Sequence, residues 1–416
     1  MTARTASGPR IALLWVLTRI VVLILMFGPE SRVVGDVGYF AKSLGRLDAL
    51  GLAGTMREYP LPAVAVVAVP WVVAGAVHAV WAYGFFFVAA LLAVDAAFTA
   101  LLHRHAAADR GSAVVAWLVA VPAMGGLCFV RFDLIPGVLV GVVILLSASR
   151  PRVAAFLLAV ATSIKLWPVL LVPPLLARAA RRGRSVSVIA AVGVVAVVAT
   201  VVVAGWARVW SPLVYQADRG LQIESVAATP VMLVHAVDPA AYRIFYSSYK
   251  AYEITGPGVP VLLTVSSALS LALVAFLVLL WSRIALLGRD LSTDALVWAS
   301  VASTLGFLCA SKVLSPQYLL WVLPMAVAGL TVVTRTRPAL LRLTVGLILA
   351  AALSHAIFPG LYSPIVLHRE QAAVAVTVLA VRNVLLVVLL GQACVRALRL
   401  TSRRPAADRA EVAARS

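Results

Sequence analysis

The residues of this chain that could do chemistry are a small set of acids and cations lying between long apolar runs, few enough to weigh one by one. Asp36 stands in GDVGYF, shortly after the first apolar run, and Glu58 follows in REYPLP. Both can be read as solvated loop acids beside Glu30 and Asp48. Held against a membrane surface, either is also what a general base needs to take the proton of an acceptor hydroxyl. Arg131 and Asp133, in RFDLIP, lie at a tip between two apolar runs, where they could close a tight turn as an ion pair. Lys165, in SIKLWP, is readable as a snorkelling lysine or as a cation that holds a lipid phosphate. The segment YQADRGLQIES offers Asp218, Arg219, Gln222 and Glu224. In SKVLSPQYLLWVLP, Lys312 and Gln317 straddle the end of an apolar helix that Pro316 and Pro324 start sharply and bend.

Other polar groups fall inside apolar runs. Arg382 and Asn383 interrupt the last run and His355 the one before it, with His368 and Arg369 in the loop between. Asp95, in LLAVDAAF, reads as an intramembrane acid held by a structural hydrogen bond. Together Lys165, Arg131, Arg219, Lys312 and Arg382 would supply a positive pocket beside the acid Asp36. A base on one side and cations on the other suit displacement of a lipid phosphate from a sugar carbon by an acceptor hydroxyl. No HExxH, paired-cysteine, Walker or GxSxG element occurs, so zinc hydrolysis, nucleotide hydrolysis and serine-hydrolase chemistry lack a motif. Neither a metal nor another cofactor is expected.

The elements that must position these residues follow from composition. Of 416 residues, 63% are hydrophobic and only 12% charged, against roughly 25% charged in a soluble domain. Such a chain needs lipid as its solvent, and apolar runs recur from residue 11 to residue 397. The fold class expected is an all-α integral membrane bundle, one domain over 1–397 with a cytoplasmic tail over 398–416. The net charge of +19 comes mostly from arginines in short patches between apolar runs. That pattern is a topology signal and an attraction to anionic lipid rather than to nucleic acid. Cys128, Cys309 and Cys394 have no paired spacing and read as small packing residues.

Parity sets the topology. If residues 60 to 78, punctuated by Pro60, Pro62 and Pro70, stay at the outer interface, every basic patch falls on the cytoplasmic side. The spans are then 11–28, 81–103, 113–129, 132–148, 152–163, 166–178, 186–205, 259–281, 292–310, 316–333, 340–357 and 373–396. This makes about twelve crossings of the cytoplasmic membrane, with both termini inside. The first is a retained helix rather than a cleaved signal, because Phe27, Gly28 and Pro29 make a poor cleavage site. The arms 152–163 and 166–178 are short for single spans, and one long helix is the rival reading. Two outer loops, about 29–80 and 206–258, are long enough to build something.

At these residues the sequence resembles the polyprenol-phosphate-sugar-dependent glycosyltransferases of the membrane GT-C class, in particular the actinobacterial α-mannosyltransferase family acting on phosphatidylinositol mannosides. The carriers are GDVGYF, the step at Tyr59 and Pro60, RFDLIP, SIKLWPVLLVPPLL, DRGLQIES and SKVLSPQYLLWVLP, the last two being the most specific. The resemblance implies juxtamembrane helices in the first outer loop, a polyprenyl-phosphate sugar donor and a glycolipid or envelope-glycan acceptor among membrane lipids. It implies Asp36 as the base of an inverting transfer, with Arg131, Lys165, Arg219 and Lys312 on donor phosphate or acceptor. Asp133, Glu224, Gln317, Glu58, Tyr59, His355 and Arg382 complete the expected site. Mannose is the first choice of sugar and arabinose from a decaprenyl carrier the second. A lipid or sugar transporter, or a flippase, is the alternative of another class.

Overall fold

A computed structural model describes residues 8–106, 111–178, 182–286 and 291–402. The protein is an all-α membrane protein with, among the described residues, one short hairpin, Arg243–Tyr246 against Tyr252–Thr255, in its second long loop. Among the described residues, seven helices are long and apolar enough to cross a membrane. They are Gly8–Phe27, Val80–His105, Gly183–Ala204, Val259–Ala285, Thr293–Ala310, Arg337–Leu367 and Ala372–Ser402. Helix 182–204 and helix 259–286 present exposed valines and leucines such as Val195, Val202, Val261 and Leu271. An apolar surface of that size is compatible only with lipid.

The centre of the bundle is the buried helix Thr293–Ala310 with the shorter helices Leu134–Leu146 and Leu323–Val332. Gly137 lets the helix Leu134–Leu146 approach the turn Pro316–Trp321, just ahead of Leu323–Val332: a Cβ there would lie 2.0 Å from the Leu320 carbonyl oxygen. Cys128 and Cys309 are buried free thiols within this packing.

The two ends of the bundle differ in kind. At one end Arg337 donates to Ser112 at 2.9 Å, Arg178 donates to the Leu291 carbonyl at 3.0 Å, and Asp294 accepts from the Thr336 N–H at 2.8 Å. Arg150, just before the helix Pro151–Ile164, and Arg184 and Arg283, at the ends of their helices, belong to this arginine-rich end. The acids and loops named above meet at the other end, where Arg208 reaches the Tyr59 carbonyl and Gln222 meets Lys312.

Several boundaries shift from those expected. Residues 60–78 form a helix, Leu61–Ala76, of 16 residues, or about 24 Å. Its return, Tyr83, donates to the Val67 carbonyl at 3.1 Å, and the next helix meets Phe40 through Phe87. The turn after it therefore stays in the loop half of the bundle. The segment 152–178 is broken at Lys165 into Pro151–Ile164 and the pair Trp167–Leu171 and Val172–Arg178. Lys165 meets Asp133 at the loop end while Arg178 meets Leu291 at the other, so the segment is a hairpin and not one long helix. The run 113–129 ends at Gly125, whose φ of +65 stops the helix Ser112–Met124. The last helix continues to Ser402, past the expected domain limit at 397. Residues 403–416 of the expected tail lie outside the described residues.

Candidate functional site

Asp36 sits in the first turn of the helix Gly35–Leu44, where an acid suits the positive end of the helix dipole. Phe40, one turn on and 1% exposed, wedges against Phe87 and Phe132. That wedge brings Asp36 against Arg131, and the two form an ion pair with side chains 28% and 20% exposed. Arg131 and Asp133 flank the fully buried Phe132 and do not pair with each other as expected. Instead Asp133 pairs with Lys165 at 2.5 Å and also accepts from the Trp321 indole at 2.6 Å. The two pairs are crossed because Phe132 goes into the core, so its neighbours leave in different directions.

Lys165 is no snorkelling lysine. Its Nζ lies 5.1 to 5.7 Å from the ring centroids of Phe132, Trp321, Tyr59 and Tyr318. Trp321 in turn stacks on Tyr318 at 4.0 Å and on Trp167 at 5.3 Å. Aromatic faces and one carboxylate hold the ammonium in place. Tyr59 and Tyr318 are partly exposed, so the cage keeps an open side.

The second loop is stitched to the start of SKVLSP. The Gln222 N–H donates to the Lys312 carbonyl at 3.1 Å, Gln222 Oε1 accepts from the Leu314 N–H at 2.6 Å, and Lys312 Nζ donates to the Ala217 carbonyl at 2.8 Å. Burial lowers the Lys312 pKa, with Arg219 adding to the effect and Glu253 opposing it. Lys312 therefore serves to pin the loop. Arg219 is 8% exposed; its Nη1 reaches Gln216 at 3.5 Å while its Nε has no hydrogen-bond partner. It shares the electrostatic neighbourhood of Tyr318 with Arg131. Gln317 is buried at the same turn.

Glu224 lies deeper. Arg382, fully buried on the last helix, donates to the Glu224 carbonyl at 3.0 Å and pairs with its carboxylate at 3.4 Å. Burial pushes the Glu224 carboxyl up to about 7, against the opposing pull of Arg382 and of a hydrogen bond with Tyr362. Arg382 therefore holds a loop and does not line an opening. His355 is also set apart: its Nε2 lies 2.9 Å from Glu30, beneath Gly125.

A cavity of about 520 Å³ opens beside this assembly, walled by the first loop, the helix Trp206–Ala217 and the hairpin tip at Tyr249 and Lys250. Of the residues expected at the site, Glu58 lines this cavity, whereas Asp36, Arg131, Lys165, Arg219 and Lys312 do not. Glu58 accepts from the Tyr39 hydroxyl at 2.5 Å and pairs with Lys250 at 3.2 Å. Burial, then Glu58, raises the Tyr39 pKa. Arg208 fixes this wall by donating to the Tyr59, Met56 and Thr55 carbonyls at 2.8, 3.2 and 3.3 Å. Tyr39 links the two regions, since it stands three residues from Asp36 on one helical face.

The structure thus gathers Asp36, Arg131, Asp133, Lys165 and Tyr59 into one cluster with Arg219 beside it, and leaves Lys312, Gln317, Glu224, Arg382 and His355 as supports around it. Sequence reasoning missed Tyr39, Lys42, Arg46, Arg57, Lys250, Trp321 and Tyr362. The spacing of Asp36, Tyr39 and Ser43 along one helix was the available signal for the first of them. No protein-family model matches the sequence, and neither a curated protein nor a solved structure matches it.

Proposed function

We propose that the chain is a membrane glycosyltransferase of GT-C type, moving a sugar, mannose first, from a polyprenyl-phosphate donor to a hydroxyl of a glycolipid or envelope glycan. The arginine-rich end faces the cytoplasm and the acid-bearing end the exterior. The seven long helices would be joined as spans by five of the six shorter apolar ones, those at 112–124, 134–146, 151–164, 167–178 and 316–332, with Leu61–Ala76 left at the outer interface. The observation that carries the reading is the Asp36–Arg131 pair, partly exposed at this rim and one residue removed from the caged Asp133–Lys165 pair.

Its chemistry is direct. As the pair opens, Asp36 accepts the proton of the acceptor hydroxyl, whose oxygen bonds to the anomeric carbon. The bond from that carbon to the phosphate oxygen breaks, and the electron pair leaves with polyprenyl phosphate. Arg131, released from Asp36, and Lys165 favour the charge gathering on the leaving group. The sugar is delivered with inverted configuration. A transporter would place its binding groups near the midplane on broken helices. Here the pair Arg19–Asp95, midway along its two helices, is closed and buried.

Purified protein supplied with polyprenyl-phosphate-mannose and a phosphatidylinositol-mannoside acceptor is expected to form a mannosidic product of inverted configuration and free polyprenyl phosphate. Transfer only from decaprenyl-phosphate-arabinose would reassign the sugar. Absence of transfer from both donors would overturn the reading.

A further inference from the structure

The 520 Å³ cavity has a charge pattern that the proposed transfer does not use. Four cations line it, Lys42, Arg46, Arg57 and Lys250, against two acids, Glu58 and Asp218. Glu58 is already committed to Tyr39 and Lys250. Among the described residues, the side chains of Lys42, Arg46 and Arg57 have no hydrogen-bond or ion-pair partner, and all three are exposed. Lys42 lies in the last turn of the helix Gly35–Leu44 and Arg46 just past its end, and both line the cavity. The site therefore presents three uncommitted cations around a concave wall, the arrangement that takes an anion with several acceptor oxygens.

The opposite wall says where that anion comes from. Helix Trp206–Ala217 supplies Val214 and Tyr215 to the cavity and turns Trp206, Trp210 and Leu213 outward, 59%, 48% and 50% exposed. A helix with a wet face toward cations and a Trp- and Leu-bearing face open to the surroundings lies in the plane of a bilayer interface. The cavity mouth is thereby held at headgroup depth, with an apolar strip beside it for acyl chains.

We infer that this cavity binds the phosphate headgroup of an anionic phospholipid drawn from the leaflet on the acid-bearing side. The phosphate sits among Lys42, Arg46 and Arg57, Lys250 closes the site from the hairpin, and the chains run along Trp210 and Leu213. This binding does not depend on the glycosyl-transfer reading, and its test uses no sugar donor.

The test reconstitutes the full chain in nanodiscs of mixed phosphatidylglycerol and phosphatidylcholine and measures retained lipid by native mass spectrometry. Wild type is expected to keep phosphatidylglycerol in preference to phosphatidylcholine. At about 5-fold per surface cation, K42A/R46A/R57A should lose on the order of 10²-fold in that preference. Because the three side chains support no contact in the fold, the melting temperature should hold, and Arg243→Ala, an exposed cation away from the cavity, should change nothing. Equal retention of the two lipids by wild type, or an unchanged preference in the triple variant, would overturn the proposal. So would displacement of the lipid by inorganic phosphate, which would make the cavity a site for the free anion.

Discussion

Asp36→Asn is expected to reduce sugar transfer by roughly 10²- to 10⁴-fold, the share a positioned general base contributes, with little change in thermal unfolding. The stability half follows from exposure: an ion pair with side chains 28% and 20% exposed is worth about 0–1 kcal/mol. The rate half follows from chemistry, because an amide cannot take the acceptor proton. Asp36→Glu separates a base from a mere partner for Arg131. It keeps the charge and the pair but displaces the carboxylate by a methylene, and a misplacement of about 1 Å costs on the order of 10²-fold. Rates that track melting temperature across the two variants would make Asp36 a structural residue.

The second large effect is on stability. Asp95→Ala is expected to destabilise the protein by about 3–5 kcal/mol, since it leaves a buried guanidinium without its partner. Arg19 is 2% exposed and meets Asp95 through Nε and Nη2, both at 2.8 Å. The same carboxylate accepts from the Trp15 and Trp117 indoles at 2.6 and 2.7 Å. Three helices, Gly8–Phe27, Tyr83–His105 and Ser112–Met124, are tied at this one group. Replacing both charges, as in Arg19→Met with Asp95→Leu, should recover most of the loss, because the desolvation cost goes with the pair. Denaturation in detergent reads both variants, and a single-variant loss below about 1 kcal/mol would mean that the pair behaves as a surface one.

What the sequence made legible was what lipid and parity dictate. Embedding, the break at Lys165 and the helix at 61–76 that turns back within the loop half all follow from apolar run lengths, prolines and the placement of arginines. The structural role of Asp95 was readable too, because an acid within an apolar run needs partners. Its partner Arg19 was not, since 76 residues separate them and only helix packing makes them neighbours. The pairing of Asp36 with Arg131, rather than Arg131 with Asp133, depends on Phe40 and Phe132 packing together. No spacing rule encodes that. The hairpin was hidden because each strand has only four residues, too few for an alternating pattern to stand out. With it went Lys250, the cation that meets Glu58. The cavity cations belong to no motif, and their meaning appears only once the helix Trp206–Ala217 stands opposite them.

Donor and acceptor both require the Asp36 assembly to face away from the cytosol. Introduced thiols at Ser248, exposed on the hairpin turn, and at Ser149, exposed at the arginine-rich end, can be probed in intact cells with a membrane-impermeant maleimide. The account predicts that the Ser248→Cys thiol reacts at once and the Ser149→Cys thiol only after permeabilisation. The reverse order would put Asp36, its cations and the neighbouring cavity in the cytosol and would contradict the account.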